Sequence, residues 1–410
     1  MNDVANGPDR SAAARRPAAR LPAAAVPAVS SLRAGTLQAS AIRELFDAAQ
    51  RVPGALRLEV GEPNFPSPPW VIEAAHRAAR DGATHYTPNT GIGELREALA
   101  DKVRRVNGWQ ARPEECIVTA GGVQALHLAL AALLDPGDEV LLPDPLWPNF
   151  AMIAHLISAC GVGYRLHPDA GFLPSVEELG SLVTERTRVI VVNFPSNPTG
   201  ACANAAQLGE LVAFARRHGL WMVADECYDE LTFTGEVVSA RAVDPYERIV
   251  SVYTFSKTYA MTGWRVGYAF APAETLAVMG RMQEPLVSCV NAPAQYAALA
   301  ALQGPQDVVA EMRDAYLRRA EAARAVLVDA GIGVHRPDGA FYLWVDTSGD
   351  ARDSLRLAHD LLAAEGVAVA PGLAFGPSGA HRLRVSLASS DEDLLEGCSR
   401  LARFLSPTAG

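Results

Sequence analysis

The feature that most constrains the fold is an alternation of short apolar runs with longer helical segments through the middle of the chain. The runs are continuously apolar, as expected for strands that helices cover on both faces. They are Cys116–Thr119, Glu139–Leu142, Val189–Asn193, Trp221–Ala224, Ile249–Tyr253 and Val266–Phe270. Segments of helical periodicity, such as Ala205–His218, separate several of them. This alternation predicts an α/β domain with a mostly parallel sheet.

A second, smaller α/β domain is predicted from the two ends of the chain. A helical pattern begins near Ser40, and after residue 300 a long amphipathic helix (306–330) precedes further strand candidates. These are Gly333–His335, Phe341–Val345, Val367–Ala370 and Leu383–Leu387, with a helix near Asp353–Ala364. We expect residues 29–60 and 301–410 to form the small domain and residues 61–300 the large one.

Residues 1–28 are rich in Ala, Arg and Pro and lack periodicity, which predicts a disordered tail. The alternative is a secretory signal, because Arg15-Arg16 precedes a stretch of small residues. The apolar part, Leu21–Val29, is short and is interrupted by Pro22 and Pro27, so the tail is the favoured interpretation.

Composition excludes several classes of protein. The chain has 410 residues, which suits two intertwined domains, and its net charge of -10 disfavours a nucleic-acid surface. No apolar run approaches the roughly 18 residues that a membrane span needs, and Val123–Leu134 is predicted to be a buried helix. The six cysteines are scattered, without Cys-x-x-Cys or zinc-ligand spacing, which favours reduced thiols in a cytoplasmic protein without a metal site.

Lysine is almost absent from this chain. Of 36 basic residues only Lys102 and Lys257 are lysine. A retained lysine is a candidate for chemistry that arginine cannot perform, such as forming an adduct with a carbonyl group, because that step needs an amine that can lose its proton. Lys102 lies in Ala-Asp-Lys-Val-Arg-Arg and is predicted to lie on a charged helix surface, so Lys257 is the candidate.

Lys257 follows the predicted strand Ile249–Tyr253, and ligand sites of α/β proteins lie at the carboxyl ends of strands. Thr254 and Ser256 offer hydroxyl groups beside it, and Arg265 offers a forked donor for phosphate. The alternative is a polar loop that carries a lysine by accident.

Three other strand ends carry polar or glycine residues. Gly121 and Gly122 open a helix whose N-terminal amides could approach a phosphate, or they form only a tight turn. Asp225 ends a buried strand, where it could pair with a pyridinium nitrogen or cap a helix. Asn197 lies in Asn-Pro-Thr-Gly and could donate to a phenolic oxygen. Neither Gly-x-Gly-x-x-Gly nor a Walker-type Gly-Lys-Ser/Thr is present, which disfavours a nucleotide-binding enzyme.

Taken together, Asn197-Pro-Thr-Gly, Asp225-x-x-Tyr228 and Ser256-Lys257 with Arg265 eight residues later resemble the fold-type-I pyridoxal-phosphate enzymes. More specifically, residues 30 to 405 resemble the class I/II aminotransferase family. The resemblance implies a seven-stranded sheet in the large domain, and pyridoxal 5'-phosphate held as a Schiff base on Lys257. It also implies that Lys257 is the general base, that Asp225 pairs with the ring nitrogen, and that Asn197 and Tyr228 hydrogen-bond the ring oxygen.

The resemblance assigns further contacts. Trp147 is similar to the aromatic residue that stacks on the ring, with a core tryptophan as the alternative. The phosphate is expected at Gly121, Gly122, Thr254, Ser256 and Arg265, and Val123 is expected as a further contact of the cofactor. Tyr86 is similar to the tyrosine that contacts the cofactor phosphate bound in the neighbouring subunit, which implies a homodimer with shared sites.

Substrate is expected at Gly61, Trp147, Asn197 and Arg384. Arg384 is similar to the arginine that binds the substrate carboxylate. The alternative is that Arg384 makes a structural ion pair, because Arg382 points to the same face of the strand. Val123 stands where some aspartate-type relatives carry lysine, and apolar Leu286 and Val287 lie in a region that often contributes to the pocket. These residues predict a substrate with a neutral side chain.

The expected activity is transfer of an amino group from an L-amino acid to a 2-keto acid. A lyase, decarboxylase, cyclase or oxidase that uses the same cofactor is the first alternative, because the motifs do not separate these reactions. A sensor fused to a DNA-binding module is disfavoured by the short Ala- and Pro-rich N-terminus and the acidic chain.

Overall fold

The computed structural model describes residues 31–37, 40–234, 236 and 238–406. The predicted tail, residues 1–28, lies outside the described residues. Residues up to Gln38 form a unit of their own, in which helix α1 (Leu32–Gly35) is described, and the rest of the chain from Ala39 forms the second unit. All that follows concerns the second unit.

The strands build two sheets. They are β1 (Leu56–Leu58), β2 (Cys116–Thr119), β3 (Glu139–Asp144), β4 (Cys160–Arg165), β5 (Thr187–Asn193), β6 (Trp221–Asp225), β7 (Ile249–Thr254), β8 (Gly267–Phe270), β9 (Tyr342–Asp346), β10 (Val367–Pro371) and β11 (Arg382–Ser386). The large sheet has the order β2-β8-β7-β6-β5-β3-β4. Only β8 runs antiparallel to its neighbours in it, so the predicted mostly parallel, seven-stranded sheet is confirmed.

Helices pack around these sheets. They are α2 (Ala41–Ala49), α3 (Pro69–Arg80), α4 (Gly93–Lys102), α5 (Gly122–Leu133), α6 (Asn149–Leu156), α7 (Val176–Leu182), α8 (Ala205–Arg217), α9 (Ala240–Val243), α10 (Phe255–Thr258), α11 (Ala273–Val287), α12 (Ala292–Gln303), α13 (Asp307–Asp329), α14 (Ser354–Glu365) and α15 (Asp391–Leu405). Helix α5 contributes its leucines and alanines to the core against β2, β3, β5, β6 and β7, as predicted for a buried helix. An Asn204–Gln207 capping box fixes the start of α8, because each side chain accepts from the backbone N–H of the other residue.

The small sheet joins the two ends of the chain. Its order is β1-β10-β11-β9, and β1 pairs in parallel with β10, Leu56 opposite Val367. Strand β11 is antiparallel to both β10 and β9. This pairing supports the assignment of the N-terminal segment to the small domain, while the predicted boundaries at residues 60 and 300 stay a prediction.

The sequence missed two strands, β1 and β4, and wrongly predicted a third. Strand β1 has only three residues, and no strand was predicted there. Strand β4 was not predicted, because Gly161 and Gly163 interrupt it and most of its residues are exposed or half-buried at the sheet edge. The prediction of a strand at Gly333–His335 was wrong: only Val334 makes an isolated bridge, to Val345. No helix of the described residues is long and apolar enough to cross a membrane, and all six cysteines are unpaired.

Candidate active site

A cavity of about 360 Å³ lies where the carboxyl ends of β5, β6 and β7 meet the small sheet. Parallel strands place their carboxyl ends on one edge of the sheet, so residues distant in sequence converge there. Most of the predicted site residues line this cavity: Gly61, Gly122, Val123, Trp147, Asn197, Asp225, Tyr228, Thr254, Ser256, Lys257, Arg265 and Arg384.

Lys257 lies on α10, directly after β7, and its Nζ donates to the carbonyl oxygen of Gly61 at 2.6 Å. Burial lowers the pKa of Lys257 to about 8, and the positive charges of Arg384 and Arg265 act in the same direction. A substantial fraction of this amine is therefore neutral near physiological pH. A neutral amine is the form that attacks a carbonyl carbon or accepts a proton.

Asp225 is the last residue of β6, and only 3% of its surface is exposed. One carboxylate oxygen accepts from the backbone N–H of Cys227 at 3.1 Å. Burial raises the pKa of Asp225 to about 6, which the Cys227 contacts and Lys257 partly offset. The contacts with Cys227 and Lys257 therefore do not offset the full cost of burying the ionised carboxylate, and a bound cation would stabilise it.

Arg384 is buried in β11 and faces the cavity from the small sheet. Its Nη1 donates to Asn197 Oδ1 at 2.9 Å and its Nη2 to the carbonyl oxygen of Glu59 at 2.6 Å, while its Nε has no hydrogen-bond partner among the described residues. Arg382, two residues earlier, pairs with Asp346 at 2.9 Å. The ion pair that was the alternative for Arg384 is therefore made by Arg382, and the guanidinium of Arg384 has no paired carboxylate in the described part of the chain.

Two predicted glycines lie at the other end of the cavity: Gly122 lines it, and Gly121, which does not line it, directly precedes Gly122. Gly121 has φ +88°, and a Cβ there would overlap the guanidinium of Arg265, so only glycine lets that arginine reach the start of α5. Arg265 itself has φ +54°, a left-handed backbone conformation that is uncommon for arginine. Its recorded hydrogen bonds go to the carbonyl oxygens of Thr262 (3.0 Å) and Ala120 (3.4 Å). With the hydroxyls of Thr254 and Ser256, which bond each other at 3.0 Å, this end has the donors that an oxyanion needs.

Three predicted residues lie away from the cavity. The Tyr86 side chain is 89% exposed, and Leu286 and Val287 are also exposed on α11. None of the three lines the cavity of its own chain. The apolar wall comes instead from Ile42, Val60, Val123 and Trp147.

The sequence missed Tyr342 and misassigned Lys102. Tyr342 lines the cavity at the start of β9, where no motif marks it. Lys102 was predicted on a surface, which is wrong: it is 3% exposed and pairs with Asp229 and Glu230. The chain leaves α4 through a π-helical turn, Val103–Asn107, and Asn107 Oδ1 accepts from Lys102 Nζ at 2.9 Å. The sequence signal that could have identified Lys102 was the near absence of lysine, because it marks both retained lysines as candidates for a specific role.

Comparisons with known proteins identify the family and agree with the fold. The sequence profile of the family described as "Aminotransferase class I and II" matches residues 53–401. The aspartate/prephenate aminotransferase of Thermus thermophilus is 42% identical over 351 residues, which are 85% of this chain and 90% of the relative. A probable aspartate/prephenate aminotransferase of Aquifex aeolicus is 40% identical, with 84% and 89% covered. The solved structure of Thermus thermophilus aspartate aminotransferase with maleate has a TM-score of 0.88 and 39% identity, and the match covers 92% of this chain and 99% of that one.

The fold and the cavity define an enzyme that transfers amino groups. The chain belongs to the class I and II aminotransferase family.

Proposed function

We propose that this aminotransferase holds pyridoxal 5'-phosphate in its cavity, attached to Lys257, and moves an amino group between an L-amino acid and a 2-keto acid. One observation carries the proposal. The half-buried amine of Lys257, with a lowered pKa, and the buried carboxylate of Asp225, with a raised pKa, line the same cavity, so both groups suit a partner that supplies a carbonyl carbon and a cationic nitrogen.

The residues present fit this cofactor. Asp225 is a buried acid that a pyridinium nitrogen would stabilise, and Gly121 leaves Arg265 and the start of α5 open to a phosphate. Arg384 is an unpaired buried cation that a substrate carboxylate would neutralise. When bound, pyridoxal phosphate supplies a carbonyl for the lysine amine and a ring that withdraws electrons from the substrate α-carbon.

Each residue then has a distinct task. Arg384 binds the substrate carboxylate through its fork and so orients the α-carbon. Lys257, once its amine is free, removes the α-proton and returns it at the neighbouring carbon. Asp225 keeps the ring nitrogen charged, and Trp147 packs against the ring face. Asn197 and Tyr228 present an amide and a hydroxyl group to the ring oxygen.

A neutral substrate side chain is the favoured class. The cations that line the cavity in the described chain are Lys257, Arg265 and Arg384, and each has a task that does not involve the side chain. Glu62 lines the same cavity and would repel an acidic group, while Ile42, Val123 and Trp147 offer apolar contact. The relatives carry "aspartate/prephenate" in their names, so aspartate is the acidic donor against which this proposal is tested.

We also propose a homodimer with shared sites and a cytoplasmic location. A tyrosine as exposed as Tyr86 suits burial against a second copy, where its hydroxyl would serve the neighbouring phosphate end. The six unpaired cysteines favour a reducing compartment.

A screen of amino donors with 2-oxoglutarate or pyruvate as acceptor tests the function. We expect stoichiometric new amino acid, ping-pong kinetics, and neutral donors used better than aspartate. Ammonia, carbon dioxide or hydrogen peroxide as the main product would instead identify a lyase, a decarboxylase or an oxidase, and a cyclised amino acid would identify a cyclase. Aspartate as by far the best donor would overturn the neutral side chain but not the transfer reaction.

A further inference from the structure

Tyr342 contacts three parts of the active site at once. It is buried at the start of β9, and its hydroxyl lies 2.8 Å from the hydroxyl of Tyr228. It also packs against Gly61, where a Cβ would overlap the Tyr342 hydroxyl, and the Gly61 carbonyl oxygen accepts from Lys257. The third contact is with Arg384, so Tyr342 lies between the amine, the phenol and the carboxylate-binding arginine.

The contact with Arg384 follows from the strand register. Tyr342 pairs with Ser386 and Trp344 pairs with Arg384 across the β9–β11 ladder, so Tyr342 and Arg384 are diagonal neighbours on one face. The guanidinium carbon of Arg384 lies 4.3 Å from the centre of the Tyr342 ring. An aromatic face stabilises a desolvated cation, and Arg384 has no paired carboxylate in the described residues, so this ring face and that of Phe375 at 4.8 Å compensate its charge.

The contact with Tyr228 concerns a proton. Two hydroxyls 2.8 Å apart share one hydrogen bond, and whichever donates leaves the other free to direct its own proton elsewhere. Burial raises the pKa of both tyrosines, so both keep their protons at neutral pH. When Tyr342 donates, the proton of Tyr228 is free to point into the cavity, and accepting one bond strengthens the bond that Tyr228 donates.

We propose that Tyr342 is a positioning residue with two separable roles: its hydroxyl orients the Tyr228 phenol toward the cofactor oxygen, and its ring holds Arg384 ready for the substrate carboxylate. This inference rests on the proposed function. The charged or titratable neighbours of the hydroxyl pair are Arg384 on β11, Cys227 beside Tyr228, Tyr316 on α13 and Lys257 across the cavity, with Glu59 behind Arg384.

Two substitutions separate the roles. Tyr342→Phe removes only the hydroxyl, and Tyr342→Met also removes the aromatic face but keeps a flexible apolar side chain. Tyr316→Phe is the matched control, because Tyr316 is fully buried in the same core cluster and its hydroxyl has no hydrogen-bond partner among the described residues.

The first measurement is a pH titration of the visible absorbance of the substrate-free holoenzyme. Weaker donation by Tyr228 destabilises the ionised cofactor oxygen, so we expect the midpoint to rise by about 0.5 pH unit or more in Tyr342→Phe and Tyr342→Met. We expect no change in Tyr316→Phe. A Tyr342→Phe midpoint equal to the wild-type value would overturn the role of the hydroxyl.

The second measurement is the dissociation constant of two unreactive carboxylates, 3-phenylpropionate and maleate, each measured separately. We expect a roughly tenfold weaker binding in Tyr342→Met and less than about a twofold change in Tyr342→Phe, which keeps the ring. Unchanged binding in Tyr342→Met would overturn the role of the ring. If Tyr342→Met does not fold, Tyr342→Phe gives the test instead. A more than tenfold loss of binding in that variant, which keeps the ring, would show that the hydroxyl and not the ring supports carboxylate binding. If the wild-type protein showed no visible cofactor absorbance, the proposed function would fail first, independently of Tyr342.

Discussion

Of the two lysines of this chain, Lys102 is buried and Lys257 is half-buried, and their surroundings change the pKa of the same amine in opposite directions. Lys102 lies behind the site between Asp229, Glu230 and Asn107. Burial alone would lower the pKa of Lys102, but the two carboxylates outweigh it and raise this pKa above its ordinary value. Lys257 has a carbonyl oxygen as its hydrogen-bond partner and two arginines nearby, and its pKa falls to about 8.

Burial lowers the pKa of both amines, so the direction of the net shift is set by whether carboxylates pair with the amine. The acids beside Lys102 hold its proton, so this amine can only anchor the segment Asp229–Glu230 that follows Tyr228. Lys257 makes no ion pair with an acid of the described residues; Cys227 and Glu62 raise its pKa, but burial and the two arginines outweigh them. Asp225, the buried acid of the cavity, has a raised pKa of its own. Four experiments test this contrast.

Replacement of the reactive lysine has the largest expected effect. Lys257→Ala should lower kcat by about 10³-fold or more and abolish the imine absorbance of the cofactor, because no other amine lines the cavity in the described chain. Turnover assays and absorbance spectra measure this, and borohydride treatment of wild-type holoenzyme should leave a pyridoxyl mass on the Lys257 peptide. Lys257→Arg, which keeps the charge but cannot give up its proton, should be equally inactive. Retained turnover in either variant would disprove the assignment.

Replacement of the structural lysine should act on stability. Lys102→Met leaves Asp229 and Glu230 buried without their cation, so we expect the free energy of unfolding to fall by about 3–5 kcal/mol. Denaturant unfolding measures this. Arg104→Gln is the matched control on the adjoining turn, because Arg104 pairs with the exposed Asp101, and it should cost under about 1 kcal/mol. Equal losses of unfolding free energy in Lys102→Met and Arg104→Gln would show that the Lys102 ion pairs stabilise the fold no more than a surface ion pair does.

Neutralising the cavity acid should have the opposite sign. In cofactor-free protein, Asp225→Asn removes a carboxylate whose pKa is raised to about 6 in the folded state, so the folded wild type binds the extra proton at higher pH than the unfolded chain does. The free energy of unfolding of the wild type therefore falls, relative to that of Asp225→Asn, as the pH rises from about 4 to 6. Above that range the variant should be more stable by at most about 3 kcal/mol, yet turn over poorly. A variant less stable than wild type at pH 7 would contradict this account.

The smallest effect is a difference in titration. Competitive acetylation of cofactor-free protein with acetic anhydride, followed by peptide mass spectrometry, should label Lys257 with a midpoint near pH 8. Lys102 should stay unlabelled through pH 10, because its pKa is raised and its amine is buried. Similar midpoints for the two amines would remove the contrast.

Sequence predicted the large sheet and most of the cavity because both depend on local signals. Asn197, Asp225 and Lys257 each follow an apolar strand, and parallel strands bring such positions together whatever the rest of the chain does. The Arg384 position came from the family resemblance.

The residues that sequence missed depend on contacts between distant segments. Lys102 sits in a charged pattern, and its partner Asp229 is 127 residues away. Tyr342 acquires its contacts through the pairing of β9 with β11, which no periodicity specifies. The β4 strand was missed because its edge position exposes residues that a central strand would bury.

The pairing of β1 with β10 has a consequence for biosynthesis. Arg384 donates to the carbonyl oxygen of Glu59, 325 residues earlier, so this corner of the site is assembled from two segments that leave the ribosome at different times. At ordinary translation rates, roughly 15–65 s separate the emergence of the two residues. A nascent chain that stops short of β11 can hold a folded central sheet but lacks the arginine that receives a carboxylate, so truncated products cannot turn over substrate at this site.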